Sequence, residues 1–129
     1  MFNYYIYRTY FNAKHSFNGD ITKIHGHSFT VVTYIGMKDS KEDIPFFKLE
    51  AIISSFIDQY RGRYLNELPE FEGCGNTLET IGDYFYEKLR KQLMKSGMEL
   101  YQLDISENPL CVYQVSDRML LPTMNMDTS

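Results

Sequence analysis

Aromatic and β-branched residues crowd the first third of the chain, and helical periodicity takes over in the middle. Residues 2–11 (FNYYIYRTYF) contain no Gly or Pro and are dense in Tyr, Phe, Ile and Thr, which predicts a strand. Within residues 12–22, Asn18-Gly19-Asp20 marks a turn. Residues 23–37, with Thr30, Val31, Val32, Thr33 and Ile35, predict a second strand and so a hairpin with an irregular tip. Residues 38–43 are a charged loop. After Pro45, the apolar positions Phe46, Leu49, Ile52, Ile53, Phe56, Ile57 and Tyr60 recur at helical spacing. They predict a helix over 46–60 with one apolar face, stopped near Gly62. Residues 66–75, carrying Pro69, Gly73 and Gly75, read as loop. A second helix begins at Asn76, which can cap it, with Glu79 three residues on completing a capping box. Leu78, Ile81, Phe85, Leu89 and Leu93 form its buried stripe, and Lys95-Ser96-Gly97 closes it. Two more strands are predicted over 99–106 and 110–116, joined through Asn108-Pro109; residues 122–129 read as a polar, disordered tail.

The order strand, strand, helix, helix, strand, strand predicts an α+β domain with both helices on one face of a four-stranded antiparallel sheet. No internal repeat appears, and residues 1–121 read as one domain. Composition narrows the picture further. A chain of 129 residues with 43% hydrophobic content supports one core. A domain of this size buries only about two-thirds of its unfolded surface, so association would help it. The net charge of -4 argues against a phosphate-backbone footprint, and nucleic acid is not an expected partner. Residues 29–37 are too short and polar to cross a bilayer, and the amino terminus lacks the zones of a secretory signal. A cytoplasmic location is the expectation. Cys74 and Cys111 make no disulfide framework and are expected as buried, reduced thiols. With 11 Tyr, 9 Phe and no Trp, large rings are expected on both faces of the sheet.

The candidate chemistry lies at the hairpin tip. All three histidines, His15, His25 and His27, fall in one short stretch. His25-Gly26-His27 puts two imidazoles at i and i+2, on one face of a strand, and the glycine between them permits close approach. Folding the hairpin can bring His15 to the other two. Three neutral imidazoles with an open fourth position describe a catalytic zinc site. Spacing alone leaves open the alternative of three unrelated histidines satisfied by local hydrogen bonds.

Longer motifs carry more information. Phe11-Asn12-Ala13-Lys14-His15, His25-Gly26-His27-Ser28-Phe29, Tyr64-Leu65-Asn66-Glu67-Leu68-Pro69, Asn76-Thr77-Leu78-Glu79 and Ile105-Ser106-Glu107 occur in that order. Together they resemble the 6-pyruvoyltetrahydropterin synthase family, which includes the 6-carboxytetrahydropterin synthases of queuosine biosynthesis. The resemblance implies the tunnelling fold (T-fold), with zinc on His15, His25 and His27. It implies that Glu107 anchors a reduced pterin through its paired N–H donors and that Thr77 lines the same pocket. It also implies a homo-oligomer with pockets between subunits, a hexamer built as two stacked trimers. The implied activity is that of a zinc-dependent lyase acting on 7,8-dihydroneopterin triphosphate or a related reduced pterin.

The departures fall on the acid–base residues. The family cysteine four residues before the first histidine of His-Gly-His is Ile21 here, and the glutamate of a variant class, three residues before it, is Thr22. The family Asp-His pair falls on Arg61 and Gly62, and the aspartate before the first helix on Pro45. General acid–base groups contribute about 10²–10⁴ in rate. Asp20, Cys74 and Tyr64 are the candidates for a replacement base. Arg61 and Arg63 could receive a phosphate or carboxylate, or stand solvated at a helix end. A non-catalytic or altered-reaction protein that binds zinc and a pterin or purine is the alternative reading.

Overall fold

Alternation along the strands decides which side chains meet the helices. The computed structural model describes residues 3–16, 24–37, 45–71, 77–108 and 110–117, with the side chains of residues 15, 16, 24 and 25 outside the described set. Strands β1 (Tyr5–Ser16), β2 (Ile24–Met37), β3 (Met98–Asn108) and β4 (Cys111–Val115) form one antiparallel sheet in the order β1-β2-β3-β4. Helices α1 (Phe46–Asp58) and α2 (Leu78–Met94) separate the two hairpins in sequence. The predicted order of elements and fold class are those observed. Among the described residues no helix is long and apolar enough to cross a membrane.

β1 runs five residues further than its aromatic run suggested, to Ser16. The reason is the pleat. Phe11 and Ala13 point into the core, while the polar Asn12 and Lys14 are exposed, so polar residues at alternate positions do not end the strand. Phe29, Val31, Leu103 and Ile105 fill the same inner face from β2 and β3. The helices supply Leu49, Ile53, Phe56 and Ile57 from α1, and Ile81, Phe85, Leu89 and Leu93 from α2. Each fully buried side chain of this kind contributes about 1.5–3 kcal/mol. Aromatic rings occupy the centre: Phe85 lies 5.0 Å from Tyr60, 5.1 Å from Phe56 and 5.8 Å from Phe11, and Phe11 stacks on Phe29 at 5.0 Å.

α1 ends at Asp58, two residues earlier than predicted, and the chain turns through Gly62 at φ +69°, a conformation that glycine adopts without a Cβ penalty. Overlapping the predicted 66–75 loop, two 3-10 turns at Leu65–Glu67 and Pro69–Phe71 bury Leu65 and Phe71. The start of α2 corrects the predicted capping. The N-cap is Thr77, whose hydroxyl accepts the Thr80 N–H at 3.2 Å, so the residue three positions after the cap is Thr80 and not Glu79. Thr77 has the extended backbone a cap requires (φ -79°, ψ 161°), and Glu79 instead sits exposed in the first turn, where the helix dipole favours it. Asn76 lies outside the described residues.

α2 returns into β3 through Lys95–Gly97, so helix and strand run antiparallel and in contact. At Gly82 a Cβ would meet Ile105 Cγ2 and Tyr113 Cδ2 at 2.9 Å, which fixes where the helix crosses the sheet. Cys111 is a second correction: it is a free thiol but exposed, because β4 is an edge strand. The turn Asn18-Gly19-Asp20 and the tail from 122 to 129 lie outside the described residues.

Candidate functional site

Register brings the three histidine positions together. In the β1–β2 ladder His15 stands directly opposite His25, and Ala13 directly opposite His27. Directly opposed residues share a face, as do i and i+2, so positions 15, 25 and 27 lie on one face at the tip end of the hairpin. Opposed Cα atoms are about 4.5–5.5 Å apart, and two strand residues span about 6.7 Å, a compact triangle. The face is the inner one, because Ala13 and Phe29 of the same rows are buried. Ala13 opposite His27 leaves room for an imidazole that a larger side chain would fill. The described imidazole is that of His27; among the described residues no cluster of three metal-ligating groups forms, since the His15 and His25 side chains lie outside them. Three histidine positions on one face at these backbone separations are compatible with the three-imidazole arrangement expected from the sequence.

Glu107 reaches this site from β3. Thr30 pairs with Ser106 and Val31 with Ile105, so the inner-face sequence Leu103, Ile105, Glu107 runs off the core toward the histidine end of β2. There Glu107 Oε2 lies 3.5 Å from His27 Nδ1, both side chains about one-third exposed or less. His27 is also packed edge-on against Phe29, with ring centres 6.2 Å apart. The predicted metal position and predicted anchor are thus adjacent.

Thr77 is placed by the helix. Gly82 abuts Ile105, and five residues of helix rise about 7.5 Å, close to the roughly 6.7 Å from Ile105 to Glu107 along the strand. Because α2 and β3 are antiparallel, Thr77 and Glu107 lie toward the same end of the domain. Its hydroxyl is engaged with Thr80, accepting that residue's N–H and lying 2.9 Å from its Oγ1.

Residues 61–64 dock on the outer edge of β1. The Gly62 N–H donates to the Asn12 carbonyl at 2.6 Å, the Lys14 N–H donates to the Arg63 carbonyl at 2.9 Å, and Lys14 and Tyr64 form a parallel bridge. The segment expected to match the family Asp-His pair therefore docks beside the histidine end of β1. Arg61 donates to the Tyr10 carbonyl at 2.6 Å and to Asp58 at 2.7 Å, which ties its guanidinium to the strand edge and to α1. Gly62 has no side chain and no atom within 4 Å of where a Cβ would stand. A cavity of about 300 Å³ results, lined by Ala13, Lys14, Gly26, His27 and Gly62 among others. Gly26 stands where the sequence predicts close approach, and Ala13 and Lys14 are lining residues that sequence reasoning missed, their place at histidine register being the available signal. Asp20, Ile21, Thr22 and Cys74 lie outside the described residues.

The opposite face of the sheet is polar. The buried Asp104 carboxylate accepts the Tyr34 hydroxyl at 2.7 Å and the Gln102 amide N–H at 2.8 Å. Burial, then the Asp104 hydrogen bond, pushes the Tyr34 phenol well above its ordinary value. Tyr34, Asp104 and Arg8 line a second concavity of about 470 Å³ that also takes in Glu107. Position alone had not revealed it.

Comparison with known proteins identifies the family and the fold. The profile of the family described as 6-pyruvoyl tetrahydropterin synthase matches residues 5–118. Among solved structures, the chain is similar to the 6-pyruvoyl tetrahydropterin synthase of Caenorhabditis elegans, with 21% identity and a TM-score of 0.75 over 92% of this chain and 100% of that one. It is similar to the Plasmodium falciparum enzyme of the same name at 17% identity and a TM-score of 0.64, covering 91% of this chain and 98% of that one. A protein of Wolinella succinogenes gives 16% identity and a TM-score of 0.59, covering 91% and 100%. No curated protein sequence matches the chain significantly.

Proposed function

The chain belongs to the 6-pyruvoyl tetrahydropterin synthase family, and from that premise we propose that it is a zinc-dependent lyase acting on 7,8-dihydroneopterin triphosphate or a related reduced pterin. The observation that carries this reading is the convergence of the three histidine positions and Glu107 at one end of the sheet. His15, His25 and His27 would hold the ion, and a bound zinc would polarise a hydroxyl or carbonyl oxygen of the ligand's side chain. Glu107 would accept the paired N–H donors of the pterin ring, a geometry suited to a carboxylate. Thr77, at the same end, would close one side of the ring pocket. The cavity beside Gly62 leaves space next to His27 for the substituent that reacts.

A second reading rests on Arg61 and Gly62. The docked segment carries the two positions that the resemblance matches to the family's acid–base pair, with one side chain absent and the other tied to Asp58 and Tyr10. That arrangement supports an altered reaction or a binding role, with zinc and a pterin or purine retained.

Assembly belongs to the same proposal. Tyr5, Ile6, Phe47 and Leu110 are exposed, the last at 94%, and β4 leaves one sheet edge open. Residues 61–63 cover β1's outer edge from Tyr10 to Lys14, so strand pairing between copies would use residues 5–9 of β1 and β4. A homo-oligomer, a hexamer of two trimers, would cover this surface.

The deciding experiment is metal analysis of protein purified without chelator, paired with a mass-spectrometric assay on 7,8-dihydroneopterin triphosphate. Near one zinc per chain with a new pterin product is the expected result. Zinc with pterin binding and no product selects the second reading, and absence of metal removes both.

A further inference from the structure

We propose that Glu107 is a positioning residue for the metal ligand His27, a role distinct from its contact with a ring ligand. The inference rests on the zinc reading above and extends it to one nitrogen atom. An imidazole that binds a metal uses one nitrogen, and the partner of the other decides which one it is. In this chain Nδ1 of His27 faces Glu107 Oε2 at 3.5 Å. That separation is longer than a hydrogen bond and closes by a small rotation of either side chain. A carboxylate accepts only, so it favours the proton on Nδ1 and leaves the Nε2 lone pair for the ion.

Two further contacts make this arrangement more than proximity. The edge-on ring of Phe29, fully buried, flanks the His27 imidazole at 6.2 Å and limits its rotation. Glu107 follows Ser106, whose pairing with Thr30 sets the carboxylate's height along β2. A one-residue slip of β3 would turn Glu107 to the other face of the sheet. The carboxylate has a second oxygen, and residue 107 also borders the concavity on the polar face. One side chain thus joins the metal ligand to the space where a ligand can lie.

The test uses the full-length protein, stripped of metal and titrated with zinc against a chromophoric chelator. Loss of such an outer partner weakens metal affinity about 10–100-fold, which is the expectation for Glu107→Ala. Glu107→Gln keeps an oxygen that can accept the Nδ1–H, so its loss is smaller than that of the alanine variant. Melting of both metal-free variants should match the wild type, because the contact acts through the ion. An alanine variant that binds zinc within twofold of the wild type overturns the inference and leaves the zinc reading standing. A wild type without a zinc site overturns both. Histidine-selective ¹⁵N NMR of the zinc-loaded wild type decides the matter even if the variants do not fold: ligation through Nε2 with a protonated Nδ1 is expected, and ligation of His27 through Nδ1 overturns it.

Discussion

Gly62 donates its backbone N–H to the Asn12 carbonyl at 2.6 Å, and that bond holds a residue without a side chain at the wall of the His27 cavity. The position is left-handed, at φ +69°, with open space around a would-be Cβ. Gly62→Ala therefore adds backbone strain without a clash. A loss of about 1–2 kcal/mol is expected, read from the urea midpoint. An unchanged midpoint would mean that the turn relaxes out of this conformation.

Thr77→Ala removes the oxygen that accepts the Thr80 N–H at the start of α2. It should cost about 1 kcal/mol, and Thr77→Ser should restore most of it. If Thr77 also lines the ring pocket, the alanine variant will weaken pterin binding at zinc saturation while the serine variant will not. A melting loss with unchanged pterin affinity would confine Thr77 to the cap.

Two phenols report on the packing of the sheet at alkaline pH. Tyr113, hydrogen-bonded to Asp83 at 2.6 Å and partly desolvated, is pushed up to about 12, and Tyr34 is raised by burial and by Asp104. Both folded values lie above the ordinary tyrosine value near 10. The stability these protonated groups provide is complete below that value and is lost as the pH rises from it through the folded values. Absorbance titration of tyrosinate should show a delayed component above the main transition, from Tyr34, Tyr60, Tyr86 and Tyr113, that loses one ring in each of Tyr34→Phe and Tyr113→Phe. Ordinary titration of all rings before unfolding would contradict the arrangement. Tyr34→Phe at neutral pH should cost about 1.5–3 kcal/mol, since it removes a hydrogen bond to a charged group.

Zinc should stabilise the protein by mass action. With free zinc at about 100 times its Kd, a gain of about 2.7 kcal/mol is expected, reversed by chelator. His27→Ala should abolish the gain. A zinc-dependent rise that survives in His27→Ala would place the ion elsewhere.

The element order and the fold class were legible in the sequence, which also carries the histidine and glutamate motifs. Periodicity, β-branched runs and turn residues act over a few neighbours, so Phe46–Asp58 and Leu78–Met94 announce themselves as helices by their apolar stripes. The limits of elements were less legible: β1 continues through Asn12 and Lys14 because its partner strand continues, and α2 starts one residue late because the oxygen that reaches an unpaired N–H is that of Thr77. What only the tertiary structure decided is pairing across the chain. The opposition of His15 to His25, the approach of Glu107 to His27 and the diversion of Arg61 onto Tyr10 follow from strand register and segment docking. Register is a sum over every cross-strand contact and the packing of both helices, and no local stretch of sequence contains that sum.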